Sequence, residues 1–110
     1  MASPPRVEFL WWRQCPSWAR ALEMLREEMG REGLDPNSIE VREVDTEAMA
    51  RQRQFVGSPT IRVNGVDVQP PADGEPTGLT CRVYRRRDGR VSPLPDREDV
   101  REAIAAVAVP

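Results

Sequence analysis

Residues 7–18 read Val-Glu-Phe-Leu-Trp-Trp-Arg-Gln-Cys-Pro-Ser-Trp, and this stretch decides the fold. Val7, Phe9 and Trp11 lie on one face of a period-two pattern, and Leu10 and Trp12 on the other. Large apolar and β-branched residues on both faces describe a central strand covered from both sides, expected over residues 6–12. Pro16 suits the first position of a following helix, where its missing N–H costs nothing, so Cys15 is expected at or beside the N-cap. There the orphan amides and the positive end of the helix dipole favour a thiolate over a thiol.

Working outward, residues 1–5 read as a frayed tail. Trp18, Ala21, Leu22, Leu25 and Met29 form the apolar stripe of a first helix, with Arg20, Glu23, Arg26 and Glu27 on its other face. Gly30 and Gly33 offer stops, and Asp35-Pro36-Asn37 a turn. A second strand is expected over residues 39–44. Asp45 or Thr46 can cap a short helix running to about Gln54, with Ala48, Met49 and Gln52 inward. Residues 60–63 and 66–68 read as strands joined by Asn64-Gly65, a strong hairpin signal. Residues 69–80 form a Pro/Gly-rich loop long enough to suggest function. A further strand at 81–84 turns through Asp88-Gly89 toward Val91. Asp96 caps a last helix striped by Val100, Ala103, Ile104 and Val107, with Asp99 in a capping-box place.

The order β-α-β-α-β-β-α implies one α/β domain with a mixed sheet of about four strands flanked by helices. An extra loop and strand segment spans about residues 69–92. At 110 residues there is room for one modest core. No apolar run approaches the roughly 20 residues of a membrane span. With two cysteines and no apolar leader core at the N-terminus, the expected compartment is the cytoplasm, with thiols mostly reduced.

All 16 basic residues are arginine, which is more economically read as coding bias than as phosphate recognition. A net charge of −2, with arginine mixed among acids, argues against a nucleic-acid surface. The cluster Arg85-Arg86-Arg87 reads as a solvated strand end or turn. The chain has no histidine, which removes Ser-His and Cys-His hydrolytic chemistry and every histidine-based metal site.

Two segments, Cys15-Pro16 after the first strand and Gly57-Ser58-Pro59-Thr60 before the third, resemble the paired motifs of the thioredoxin superfamily. The resemblance covers nearly the whole chain. Within that superfamily the chain is most similar to a small bacterial group of thioredoxin-like "DF family (seleno)proteins". Cys15-Pro16-Ser17-Trp18, Gly57 to Thr60, and Gly78-Leu79-Thr80-Cys81-Arg82-Val83-Tyr84 carry that likeness. The resemblance implies a thioredoxin-like fold, a cis Pro59 beside Cys15, and Ser58 and Thr60 flanking a bound thiol or peptide, with the Ser58 backbone offered to an extended substrate. No cofactor is expected.

Trp18 stands where thioredoxin has its resolving cysteine, so exchange within the motif is closed. Three options stay open: an external low-molecular-weight thiol, a distant resolver, or no turnover. Cys81 is the candidate resolver. If residues 66–68 run back toward Cys15, the loop leaves near the site and Cys81 sits at its far side. The alternative is one more buried, inert cysteine. Trp11 and Trp18 read as core. Trp12 is a candidate cleft wall, and Arg13 a candidate carboxylate binder or a solvated loop residue. Glu43 and Asp45 are candidate proton carriers, or merely caps and solvated acids. The expected function is a thiol–disulfide oxidoreductase in which Cys15 attacks and Cys81 or an external thiol resolves. Its partner would be a disulfide-containing protein or a low-molecular-weight thiol; no membrane or nucleic-acid partner is implied. Substrate contacts are assigned to Trp12, Arg13, Pro16, Trp18, Ser58, Pro59 and Thr60. The alternative is a non-catalytic module holding a soft metal, a metalloid or a partner protein through Cys15 and Cys81, although no spacing selects a metal.

Overall fold

The computed structural model describes residues 4–108. Of the expected frayed tail, residues 1–3 lie outside the described residues, and Pro4 and Pro5 have no regular structure. The first strand, β1 (Val7–Trp11), pairs in parallel with β2 (Glu40–Glu43) and antiparallel with β3 (Thr60–Val63). β3 continues through a hairpin into the two-residue β4 (Val66–Asp67), so the sheet order is β2-β1-β3-β4. Asn64 and Gly65 both have positive φ, as a two-residue type I′ turn requires. The fold is a mixed α/β arrangement with β1 at the middle of its sheet.

The alternation of β1 sorts two cores. Val7 and Phe9 pack with Ile61 and Val63 against α1 (Trp18–Arg31) and α3 (Arg97–Val107). Leu10 packs on the opposite face with Val44, Phe55 and Ala50 of α2 (Glu47–Gln52). Both faces of β1 are therefore dry. Met24 joins the α1 stripe beside Leu25, which widens the buried face beyond the expected spacing, while Trp18 is only half-buried. In α2 the inward residue is Ala50, with Met49 half-buried; the expected Ala48 and Gln52 are exposed. The helix ends two residues earlier than its pattern suggests, and Gln54 at φ 53 turns the chain toward Phe55.

Helix ends follow their side chains. Thr46 caps α2 by accepting from the Met49 N–H. At the end of α1, Gly33 at φ 75 lets its own N–H reach Gly30 O, while the Leu34 N–H reaches Met29 O, which forms a Schellman motif. Gly30 lies inside the helix. Asp96 caps α3 by accepting from the Glu98 N–H and also from the Arg87 N–H. The expected capping box is absent, because the Asp99 carboxylate accepts from Arg87 instead. Arg87 binds Glu102 as well, so this arginine of the basic cluster ties a hairpin to α3. That hairpin, β5 (Tyr84–Arg85) and β6 (Val91–Ser92), replaces the strand expected at 81–84.

Two buried acids, Glu8 and Glu28, went unread in the sequence. Glu28 is 1% exposed inside the α1–α3 interface, where Arg97 Nη1 lies 2.8 Å from Oε2. Arg97 also holds Glu27 at 2.9 Å, so one guanidinium staples α3 to two residues of α1.

Two outcomes follow for stability. Leu25→Ala, at a fully buried position, is expected to cost about 3 kcal/mol in urea unfolding. The two backbone N–H groups on Asp96 hold its carboxyl below the ordinary range. A carboxyl depressed in the folded state adds stability above its unfolded value of about 3.9, and that stability is lost as pH falls through the folded value. Asp96→Asn should therefore be less stable than wild type at pH 7, with the gap shrinking as pH falls through the folded value, read by urea midpoints.

Candidate functional site

The Cys15 loop begins where β1 ends. Past Trp11 the chain turns, and the Cys15 N–H closes the turn on Trp12 O at 3.1 Å. Helix α1 starts later than Pro16 implies. Pro16 is exposed in a turn, and the N-cap is Ser17, whose carbonyl accepts from the Ala21 N–H. Cys15 thus precedes the cap by two residues. The Ser17 side chain makes no capping hydrogen bond, and the first turn of α1 holds no acid. The amides at this helix start remain without a side-chain cap or countercharge, and Cys15 Sγ lies 3.6 Å from Ser17 Oγ.

Below Cys15 runs the Ser58–Pro59 peptide, which is cis. Cys15 Sγ lies 3.4 Å from Ser58 O, and Ser58 Oγ accepts from the Trp12 N–H at 2.9 Å. Cys15, Ser58, Pro59 and Thr60 are all buried. The implied role of Ser58 and Thr60 as flanks of a bound substrate does not fit this arrangement. The Ser58 N–H already donates to Thr80 O at 2.8 Å, and Ser58 O accepts from the Arg82 N–H at 2.9 Å. Residues 80–82 form a one-residue parallel bridge there, with Cys81 opposite Ser58. The backbone expected to receive an extended substrate is occupied by the chain's own loop.

Cys15 and Cys81 form a disulfide pair, 66 residues apart in sequence with Cα atoms 5.5 Å apart. That separation lies within the range a disulfide spans. Cys15 is 1% exposed, whereas Cys81 is an exposed residue and not a buried core thiol.

A second layer pins the 80–82 segment. Arg82 points inward and donates to both Asp67 carboxylate oxygens, at 2.7 and 3.1 Å. It also donates to Thr60 Oγ1 and Gln69 O, and its guanidinium lies 4.4 Å over the Tyr84 ring. Tyr84 is fully buried, its hydroxyl donates to Pro59 O, and burial pushes its phenol above the ordinary tyrosine range. Gly57 passes so close that a Cβ there would stand 2.9 Å from Arg82 Cα, at a φ of 149°. Only glycine fits that contact. Beyond Cys81, Gly78 N–H donates to Phe55 O and Leu79 N–H to Glu47.

The remaining predicted contacts scatter. Trp18 stacks on Trp11 with ring centroids 4.4 Å apart, as half-buried core. Trp12 is half-buried against the α2-side core, beside Leu79. Arg13 is exposed, and its guanidinium engages Glu43 at 2.7 Å. The structure therefore gathers Cys15, Cys81, Ser58, Pro59 and Thr60, and leaves Arg13, Pro16 and Trp18 outside that cluster. Asp67 was missed, and Gly57, Arg82 and Tyr84 stood in the quoted motifs without an assigned role. The signal for Arg82 was an arginine inside the apolar run around Cys81, but its partner lies across the loop. No family model, curated protein or solved structure matches the chain. No helix among the described residues is long and apolar enough to cross a membrane.

The Arg82–Asp67 pair is nearly buried, so removing one partner strands a charge. Asp67→Ala should lower unfolding free energy by about 3 kcal/mol, and adding Arg82→Met should recover part of that loss. A double-mutant cycle in urea checks the coupling.

Proposed function

We propose that this chain is a thioredoxin-like thiol–disulfide oxidoreductase whose working couple is Cys15 and Cys81. The observation that carries this reading is their juxtaposition across 66 residues, one sulfur buried beside a helix start and one residue at the surface. Supporting the thioredoxin-like fold are the order β2-β1-β3-β4, parallel at β1–β2 and antiparallel elsewhere, the helices on both faces, and the cis Ser58–Pro59 peptide beside Cys15.

The chemistry needs no cofactor or histidine. Two electrons and two protons convert the disulfide to two thiols, and a thiolate attacking one sulfur expels the other as a thiolate. In the reducing cytoplasm expected from the sequence, such a disulfide cycles instead of persisting. A second reading rests on the same juxtaposition: with both thiols reduced, two sulfurs this close suit a linear soft ion such as Hg(II) or Cu(I). Among the described residues no group of three or more His, Cys, Asp or Glu stands together.

Equilibration in graded glutathione buffers, followed by alkylation and mass spectrometry, tests the couple. Wild type should show one two-electron transition, and it should accelerate reduction of a disulfide-bonded model peptide by dithiothreitol. Both activities should vanish in Cys15→Ser and Cys81→Ser. A disulfide that never exchanges would defeat the reading. Stoichiometric Hg(II) retention without peptide turnover would favour the binding module. The loop closed is long, so reduction should also lower unfolding free energy by about 4 kcal/mol, read by urea midpoints with and without reductant.

A further inference from the structure

Given that Cys15 and Cys81 are a redox couple, we infer that external thiols and disulfides exchange at Cys81, while Cys15 is the internal sulfur that leaves and returns. This reverses the order suggested by the sequence. Two observations carry it.

The first is access. Cys15 is 1% exposed and packs against Ser58, whereas Cys81 is an exposed residue between exposed Thr80 and inward-pointing Arg82. Attack on a disulfide runs along the line of the two sulfurs, and the nearly unexposed Cys15 offers no approach, which leaves the Cys81 side.

The second is occupancy. An extended substrate cannot reach Cys15 by pairing with Ser58, because the Ser58 N–H and C=O are held by Thr80 and Arg82. That segment is fastened by Arg82 to Asp67, Thr60 and Gln69, by Tyr84 to Pro59, and by the close fit of Gly57. Opening the slot would strand a buried guanidinium. The chain thus places its own Cys81 where a substrate sulfur would sit, and keeps it there.

The steps balance as follows. In reduction of the protein, an external thiolate bonds to Cys81 Sγ, the Cys15–Cys81 bond breaks, and Cys15 takes the electron pair as thiolate. A second external thiolate then bonds to the first external sulfur and releases Cys81, so the external pair is oxidised to a disulfide. In the reverse direction, the Cys81 thiolate attacks an external disulfide and expels one of its thiols. Cys15 then attacks Cys81 Sγ and expels the other. The substrate class is a low-molecular-weight or surface-displayed disulfide, since it must reach an exposed sulfur without needing a strand slot.

The test maps the mixed disulfide. Oxidised wild type is mixed briefly with reduced glutathione, quenched in acid, alkylated and digested. Glutathione is expected on Cys81 and the alkyl group on Cys15. Reduced Cys15→Ser should capture oxidised glutathione about tenfold faster than reduced Cys81→Ser, in which the one remaining thiol is buried. Near-UV circular dichroism checks both variants, and the wild-type map stands even if one fails to fold. Glutathione on Cys15, or the opposite order of rates, overturns the inference while leaving the couple intact if the wild-type disulfide still cycles. No exchange at either sulfur overturns the couple and the inference together.

Discussion

The bridge between Ser58 and residues 80–82 is the interaction on which the site depends. Two backbone hydrogen bonds join a buried turn before β3 to the end of the long loop, and they set Cys81 opposite Ser58. On their own, two neutral hydrogen bonds contribute little net stability, about 1 kcal/mol each. Their persistence comes from what stands behind them: a bidentate guanidinium–carboxylate pair, a buried phenol on the Pro59 carbonyl, and a glycine that allows near-contact. A buried charge that must keep its partner is a stronger constraint than the strand pairing it protects.

That constraint is anchored in turn by the sheet. β1 is dry on both faces, which fixes its register with β2 and β3, since a one-residue slip would move Phe9 and Leu10 into each other's cores. Fixing β3 fixes Thr60 and the turn before it; the hairpin at Asn64-Gly65 then carries Asp67 back toward the same end. The carboxylate that receives Arg82 is thus placed by hairpin geometry, and the loop is drawn in by its own arginine. Charge pairing does similar work elsewhere, where Arg97 joins α3 to α1 and Arg87 joins the β5–β6 hairpin to α3. Arginine suits these junctions because its planar fork can hold two acids at once.

The two cysteines differ in setting. Cys15 is buried two residues before the cap of α1, and Cys81 is an exposed residue at the end of the long loop. Their pairing joins a surface position to the interior of the fold.

Much of this was legible along the chain. Alternation in residues 7–12 predicted a strand buried on both sides, Asn64-Gly65 predicted its hairpin, and Thr46 and Asp96 predicted their caps, because period, turn chemistry and capping act over a few residues. Pro16 misled by two residues, since a proline in a turn just before a helix looks the same in sequence as one at its first position. Asp99 misled in another way: its carboxylate had a distant arginine to choose, and no local pattern records that choice. What only the tertiary structure decided was the content of the site. The pairing of Cys15 with Cys81, the filling of the Ser58 slot, the burial of Arg82 on Asp67 and the pairing of Arg13 with Glu43 all join residues from different elements. The residue types were visible, but their distances are set by how β1, the β3–β4 hairpin and the long loop pack, and that packing is a property of the whole fold.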